Sequence, residues 1–348
     1  MLGNQRPTIA LAIGDPAGIG PELAARMVAD PEIREAGSLV VVGDARVLSR
    51  GAVEAGLALD IDIRGPNEPL SPGGRPVLRD LGHLDPESIR LGTSSEAGGR
   101  SALDNFRTCL EMGKAGLADA VCFTPFNKPA MKLAHPPYDD EISYTAGILG
   151  TTGPASEFNV LEGLWNARVT SHVPLSAVAG LITEARVLRG IRLTHASLRD
   201  AGFAEPRIAV AGLNPHAGDS GNFGHEDDEI IRPAVETAQR DGIAAEGPFP
   251  PDTVFLRANK GEFDAVVTMY HDQGQIAMKL IGFDRGVTLL GGFPFPICTP
   301  AHGSAYDIAG RGVAHPGATR AAILLAARMA LRQAERTRHS ETRPAELV

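Results

Sequence analysis

The sequence predicts an α/β protein built on a mainly parallel sheet, and three observations predict it. Short apolar, β-rich runs alternate with helical patterns, which is how βαβ units read in sequence. Glycine (40) and proline (26) punctuate the chain without a G-X-Y period, and apolar runs recur throughout, so many short loops are implied rather than collagen or disorder. At 348 residues, 43% hydrophobic and 22% charged, the chain can bury the cores of two lobes.

Taken in order, residues 8–14 form the first strand. It runs into Gly14-Asp15-Pro16-Ala17-Gly18-Ile19-Gly20-Pro21-Glu22, where Pro21 suits the first helical position and Glu22 the positive end of that helix. Leu39 to Val42 give a second buried strand. Leu103, Phe106 and Leu110 lie three and four apart, on one helix face. That helix leads to a strand over Ala118 to Phe123, which ends in Thr124-Pro125-Phe126-Asn127-Lys128. Residues 321–332 read as a buried late helix, and from Gln333 onward the chain is polar, charged and expected to fray. Gly116-Leu117-Ala118-Asp119-Ala120-Val121 is echoed by Gly261-Glu262-Phe263-Asp264-Ala265-Val266, each before a strand that ends in polar residues. Ligands of open α/β sheets bind beyond the carboxyl ends of strands, so the echo marks two edges of one cleft.

The 33 Lys+Arg against 42 Asp+Glu leave a net charge of −9 with no basic cluster, which argues against a nucleic-acid or anionic-membrane partner. No apolar run approaches the ~20 residues of a membrane-spanning helix. The N-terminal apolar stretch is strand-length and is not read as a signal peptide. Cys109, Cys122 and Cys298 are isolated, which excludes CxxC motifs and a disulfide framework. A cytoplasmic protein is expected.

Three of the ten histidines share a placement. His172 follows Ala167-Arg168-Val169-Thr170-Ser171, His216 follows Ile208 to Pro215, and His271 follows Ala265 to Tyr270. Each stands just past the carboxyl end of a predicted strand. Any one alone could be a hydrogen-bonding loop residue. Together they suggest a divalent metal site with open coordination positions, zinc being the default and magnesium, manganese, cobalt or iron alternatives. Asp272 could orient an imidazole or accept a proton. His225 and Glu226 read as helix-start and surface residues.

Gly14, Gly18 and Gly20 do not fit G-x-G-x-x-G and no G-K-[ST] follows, so neither a Rossmann fingerprint nor a P-loop is present. The segment His302-Gly303-Ser304-Ala305-Tyr306-Asp307-Ile308-Ala309-Gly310-Arg311-Gly312 is more distinctive. Its glycines permit close backbone approach to a ligand. Asp307 could accept hydrogen bonds from an adenosine ribose, as acidic residues do for NAD.

Several segments together resemble the 4-hydroxythreonine-4-phosphate dehydrogenase (PdxA) family: GDPAGIGPEL at 14–23, TPFNK at 124–128, SHVPL at 171–175, LNPHAG at 213–218, PPDTVF at 250–255, YHDQGQIAMK at 270–279, FDRGV at 283–287 and HGSAYDIAGRG at 302–312. The resemblance spans roughly 8–330 and implies an isocitrate/isopropylmalate-dehydrogenase-like fold of two α/β domains with an interdomain cleft. It further implies a homodimer whose site lies at the subunit interface and takes ligands from both chains. The expected division is a discontinuous cofactor-binding domain (1–124 and 285–335), a metal-binding and dimerisation domain (125–284) and a flexible tail (336–348). The family's metal histidines fall on His172, His216 and His271. The 302–312 segment resembles the adenosine-binding loop of isopropylmalate dehydrogenases, which implies cofactor contacts at His302, Gly303, Ser304, Ala305, Asp307 and Ile308, the Asp-Ile pair there going with NAD rather than NADP.

The sequence departs from the family at the substrate. The family's Gly-His-Thr-Glu segment is replaced by Tyr138-Asp139-Asp140-Glu141-Ile142-Ser143-Tyr144, where Ser143 is the substrate candidate. A substrate Asn aligns with Thr288 and an Arg with Ile297, leaving only Lys279 of that set. Losing an Arg and a His removes the strongest phosphate partners. The expectation therefore moves to the terephthalate dihydrodiol dehydrogenase branch, with Phe293, Phe295 and Ile297 as apolar walls for a small carboxylate substrate oxidised and decarboxylated to protocatechuate. Oxidising a hydroxyl β to a carboxylate gives a β-keto acid that loses CO2 readily. Lys128 and Asp272 are the proton-transfer candidates, and Lys279 the carboxylate contact. The alternatives are a dehydrogenase of hydroxythreonine phosphate or phosphothreonate, a zinc hydrolase using the same histidines, and a catalytically silent binding protein.

Overall fold

The computed structural model describes residues 6–70 and 73–341. In chain order its elements begin with strand β1 (Thr8–Ala12), helices α1 (Gly20–Ala29) and α2 (Pro31–Ala36), β2 (Ser38–Gly43), α3 (Ala45–Ala55), β3 (Asp62–Arg64) and β4 (Val77–Asp80). Next come α4 (Glu96–Lys114), β5 (Ala120–Phe123), α5 (Lys128–Ala134), α6 (Glu141–Leu149), β6 (Ser156–Leu161), β7 (Leu164–Arg168), α7 (Leu175–Leu181) and α8 (Glu184–Ala201). The chain closes with β8 (Ile208–Ala211), α9 (Arg232–Arg240), β9 (Ala245–Phe249), α10 (Val254–Ala258), β10 (Ala265–Thr268), α11 (His271–Gly282), β11 (Val287–Gly291), β12 (Ile297–Pro300) and α12 (Gly317–Glu341).

The chain divides into two compact units, 1–152 with 293–348, and 153–292. The sequence reading set the changeovers at 124/125 and 284/285, so residues 125–152 and 285–292 change sides. The first transfer has a packing cause. Tyr144 of α6 lies 6.0 Å from Phe106 of α4, and Phe126 stacks on Phe123 at 4.3 Å, so this segment adds to the core that α4 and β5 build.

In the first unit the strands lie in the order β3-β4-β2-β1-β5-β12, and every pairing is parallel. The central strands β1, β2 and β5 are almost wholly buried, as continuous apolar runs covered on both faces should be. The predicted helix face is real: Leu103, Phe106 and Leu110 are all buried on α4. The late helix extends beyond its predicted end. Where fraying was expected from Gln333, α12 continues to Glu341. Gln333 donates to the Pro294 carbonyl at 2.6 Å, and no glycine or proline interrupts the run. Residues 342–348 of the expected tail lie outside the described residues.

In the second unit the order is β11-β6-β7-β10-β8-β9. Here β6 runs antiparallel to both of its neighbours, β11 and β7, whereas β7, β10, β8 and β9 run parallel. The two units share a local device at the echoed segments. Asp119 accepts the N–H of Thr8 at 2.7 Å, and Asp264 accepts that of Arg207 at 2.8 Å, so in each case the Asp before one strand secures the start of its parallel neighbour. Among the described residues no helix is long and apolar enough to cross a membrane.

Candidate active site

In the second unit the three histidines stand at the ends of three adjacent strands. The order β7-β10-β8 is parallel throughout, so all three chains leave the sheet at the same edge. The β7–β10 pairing continues beyond the strands, with Val169 N–H donating to Thr268 O at 2.9 Å and Thr170 N–H to Met269 O at 3.1 Å. That extension carries His172 and His271 into one pocket, their rings 5.7 Å apart, with Ser171, Tyr270 and Asp272 around them.

His271 opens α11, and its Nδ1 lies 2.6 Å from Asp272 Oδ1, which fixes the ring and leaves Nε2 for a ligand. The rest of the motif positions it. Gln273 accepts from Met269 N–H and donates to Gly212 O, both at 2.8 Å, tying the end of β10 to that of β8. Gly274 is a glycine because a Cβ there would fall 2.1 Å from Asn166 Oδ1.

His216 sits in the turn after β8, 6.0 Å from Phe223. Its loop is held by a residue the sequence reading passed over. Asp227 is fully buried and accepts Leu213 N–H at 2.8 Å, Asn214 N–H at 3.2 Å and Asn214 Nδ2 at 2.9 Å. Its signal was a carboxylate directly after His225 and Glu226 in an otherwise loop-like segment, too common a pattern to single out. Glu226, read as a surface residue, accepts from Asn214 Nδ2 at 2.8 Å.

The donor set suits a divalent ion in kind, and two of the three imidazoles share a pocket. Among the described residues, however, no three His, Cys, Asp or Glu side chains form a metal-holding group. The backbone adds an independent sign. Among the described residues, the non-glycine residues with left-handed φ are His172, His216, Ala217, Asp219, Ser220 and Ala305, all in or directly after the segments singled out for chemistry. Such conformations cost of order 1–3 kcal/mol each and concentrate where function requires them.

In the first unit the three glycine- and Asn-containing loops converge. Asp15 N–H donates to Pro125 O at 2.9 Å and Ile19 N–H to Ser304 O at 3.0 Å. A Cβ at Gly18 would stand 2.5 Å from Ser304 O, so glycine is what lets the GDPAGIG and HGSAYD loops touch. Asn127 accepts from Ser94 Oγ at 2.9 Å, and Tyr306 donates to Asp15 Oδ2 at 2.5 Å. Burial raises the carboxyl of Asp15 above its ordinary range, against the pull of the Tyr306 hydroxyl, and burial likewise raises the Tyr306 phenol. Burial lowers the imidazole of His302. Tyr306 and Asp15 were missed as a pair because 291 residues separate them.

Of the cofactor candidates, Ser304 is buried at this junction and Ile308 packs on Ile19, Leu23 and Ala314. Gly303 and Asp307 are exposed, and Asp307 has no ion-pair partner among the described residues. Lys128 opens α5, its Nζ 3.2 Å from Glu141 Oε2, and Asp140 caps α6 through Ser143 N–H at 2.7 Å. The DDEIS segment thus builds a helix start and a lysine partner, leaving the Ser143 side chain exposed.

The substrate candidates fall apart. Lys279 is exposed on α11 and Thr288 is half-buried opposite Asn159. Ile297 is a correction: it has no exposed surface, paired with Val121 in the core of the first unit. Phe295 is also core, its ring filling the space beside Gly113. The apolar wall that favoured a ring substrate is therefore largely interior packing.

A model of the family described as "Pyridoxal phosphate biosynthetic protein PdxA" matches residues 35–326. A Rhizobium meliloti protein named "Putative 4-hydroxythreonine-4-phosphate dehydrogenase 2" is 60% identical over 328 residues, 94% of each chain. A Symbiobacterium thermophilum protein named "Putative D-threonate 4-phosphate dehydrogenase" is 38% identical, over 94% of this chain and 98% of the other. The crystal structure of 4-hydroxythreonine-4-phosphate dehydrogenase from Klebsiella pneumoniae superposes with a TM-score of 0.80 at 34% identity, covering 93% and 99%. A terephthalate 1,2-cis-dihydrodiol dehydrogenase from Burkholderia xenovorans LB400 is more distant, with a TM-score of 0.64 at 29% identity, covering 92% and 98%. The preference for the dihydrodiol branch is thus unsupported by similarity as well as by packing. By motif, fold and near full-length similarity, the chain belongs to the PdxA family.

Proposed function

We propose that the chain is a metal-dependent, NAD-linked dehydrogenase that oxidises a hydroxyl β to a carboxylate in a phosphorylated four-carbon hydroxy acid, of the 4-hydroxythreonine 4-phosphate or threonate 4-phosphate kind. The observation that carries the chemistry is the pocket shared by His172 and His271 at the ends of adjacent parallel strands, with His216 at the end of the next. The substrate class rests on the names of the relatives at 60% and 38% identity. Bound to His172, His216 and His271, a divalent ion would supply a Lewis acid for the hydroxyl, while NAD on the loop of Ser304 and Asp307 would take the hydride.

The chain's own groups have separate tasks. Asp272 orients His271, and the exposed Asp307 is available to ribose hydroxyls. Lys128, held beside Glu141, is the candidate for proton transfer, and Lys279 for the substrate carboxylate. We also place the site at the interface of a homodimer. Asp272, Ile276, Lys279 and Leu280 stand at i, i+4, i+7 and i+8 of α11, and Phe283 follows its last residue; all are exposed, so one face of α11 carries both site candidates and bare apolar groups.

Reduction of NAD followed by absorbance tests the reading. Either phosphorylated acid should be turned over roughly 100-fold more efficiently than the terephthalate dihydrodiol, since a site whose donors are placed for a phosphate leaves some of them unpaired with a carboxylate on a rigid ring. Turnover of the dihydrodiol alone would reinstate the other branch.

A further inference from the structure

We infer that the GDPAGIGPE segment at 14–22 sets the affinity for the cofactor without touching it: Asp15 and Glu22 are positioning residues that hold the 302–314 loop in its NAD-receiving shape. The inference rests on the proposal that NAD binds this loop.

Between the end of β12 at Pro300 and the start of α12 at Gly317 the chain forms neither strand nor helix, so no ladder of backbone hydrogen bonds dictates its path. Two buried carboxylates from one segment grip it instead. Near the loop's start, Tyr306 donates to Asp15 Oδ2 at 2.5 Å, while Asp15 Oδ1 accepts Ala17 N–H at 2.9 Å and ties the carboxylate to its own turn. At the far end, Glu22 Oε1 accepts Ala314 N–H at 3.0 Å and Arg26 Nη2 at 2.7 Å. The same Nη2 donates to Gly312 O at 2.9 Å. Between the two grips Ile308 packs on Ile19 and Leu23. Asp15 is 1% exposed and Glu22 0%, so neither can reach a bound molecule. What the grips leave facing outward includes Gly303, Asp307 and Arg311, and Asp307 is the candidate for the ribose hydroxyls. A loop already ordered in its binding shape loses less conformational freedom when the ligand arrives, and that difference appears as affinity. Hydrogen bonds to ionised groups are the strong ones, so these two carboxylates are suited to the task.

Hydrogen exchange of the 302–314 amides without cofactor, together with calorimetric titration of NAD, tests this on the full-length protein. The variants are Tyr306→Phe, and Glu22→Met with Glu22→Gln as its conservative counterpart. Tyr306 is half-buried and loses only a hydroxyl, so that variant should fold even if Glu22→Met does not. In the unchanged protein NAD should bind and slow exchange across 302–314. Tyr306→Phe and Glu22→Met should exchange this segment faster without NAD and bind NAD about 10-fold more weakly. Glu22→Gln keeps an acceptor for Ala314 and should lie closer to the unchanged protein than Glu22→Met does. The KM for NAD should rise by more than kcat falls, and metal binding by the histidines of the second unit should be kept. If NAD protects 302–314 yet binds Tyr306→Phe as tightly as the unchanged protein, the inference is overturned and the cofactor reading stands. Equal loss of NAD and metal binding would mark a general loss of the fold and also overturn it. If NAD fails to bind, or binds without protecting 302–314, the cofactor reading falls and the inference with it.

Discussion

The turn that carries His216 is held by one buried carboxylate. Asp227 is a buried carboxylate satisfied by two backbone N–H groups and the Asn214 amide, and those bonds hold the turn in which His216 adopts its left-handed backbone. Removing the carboxylate leaves buried donors unpaired, which costs about 1–3 kcal/mol per group. Asp227→Ala should therefore lower stability to urea by at least that much and also lower bound metal. His216→Ala should lose metal while its unfolding midpoint, measured without metal, stays near that of the unchanged protein. Equal stability and metal content in Asp227→Ala would mean that the turn holds itself.

Single elements are held in the same way, by acidic residues at their starts. Asp44 caps α3 by accepting Arg46 N–H at 3.0 Å and also accepts Leu84 N–H at 3.0 Å, so one carboxylate fixes a helix start and the chain after β4. Burial pushes its carboxyl up, but hydrogen bonds from the Arg46 guanidinium and from the N–H groups of Leu84 and Arg46 outweigh it and hold the group at about 2, against an ordinary 3.8. A carboxyl lowered by folding stabilises the fold above its unfolded value and ceases to do so as pH falls through its folded one. The contribution of Asp44 should be complete above 3.8 and lost towards about 2. Asparagine caps as well as aspartate, so Asp44→Asn isolates the charge, whereas Asp44→Ala should cost about 0.5–2 kcal/mol at neutral pH. Denaturant titrations at neutral pH and in acid should show the Asn variant less stable at the former, with the gap closing in the latter. Elements like this were legible because their signals are local: the apolar run of β1, the face of Leu103, Phe106 and Leu110, and strand ends followed by histidine. What was illegible depends on contacts distant in sequence. Ile297 reads the same as core or as ligand wall until its pairing with Val121 is known, and Arg168 reads as an ordinary strand residue until Glu157 and Asn159 close around it.

At the scale of the whole molecule, the α11 face and the metal make linked predictions. Leu280 is 84% exposed, Ile276 61% and Phe283 53%, on the same face as Asp272 and Lys279. A second copy that covers these side chains would also close over the histidine pocket, whose wall includes the 70% exposed Leu175. A ligand that binds only the folded state stabilises it by about 2.7 kcal/mol at 100 times its dissociation constant, so metal should raise the unfolding temperature and chelation should lower it. Two variants separate assembly from coordination. Leu280→Glu would place a charge in the proposed dimer face and should then yield a monomer by light scattering, with weakened metal binding where the second copy completes the site. His216→Ala should remain a dimer and show no metal-dependent rise in unfolding temperature. If Leu280→Glu is monomeric yet keeps the full metal-induced rise, the ion is held within one chain and the interface serves only assembly. If His216→Ala keeps the rise, the metal lies elsewhere and the three strand ends do not form one site.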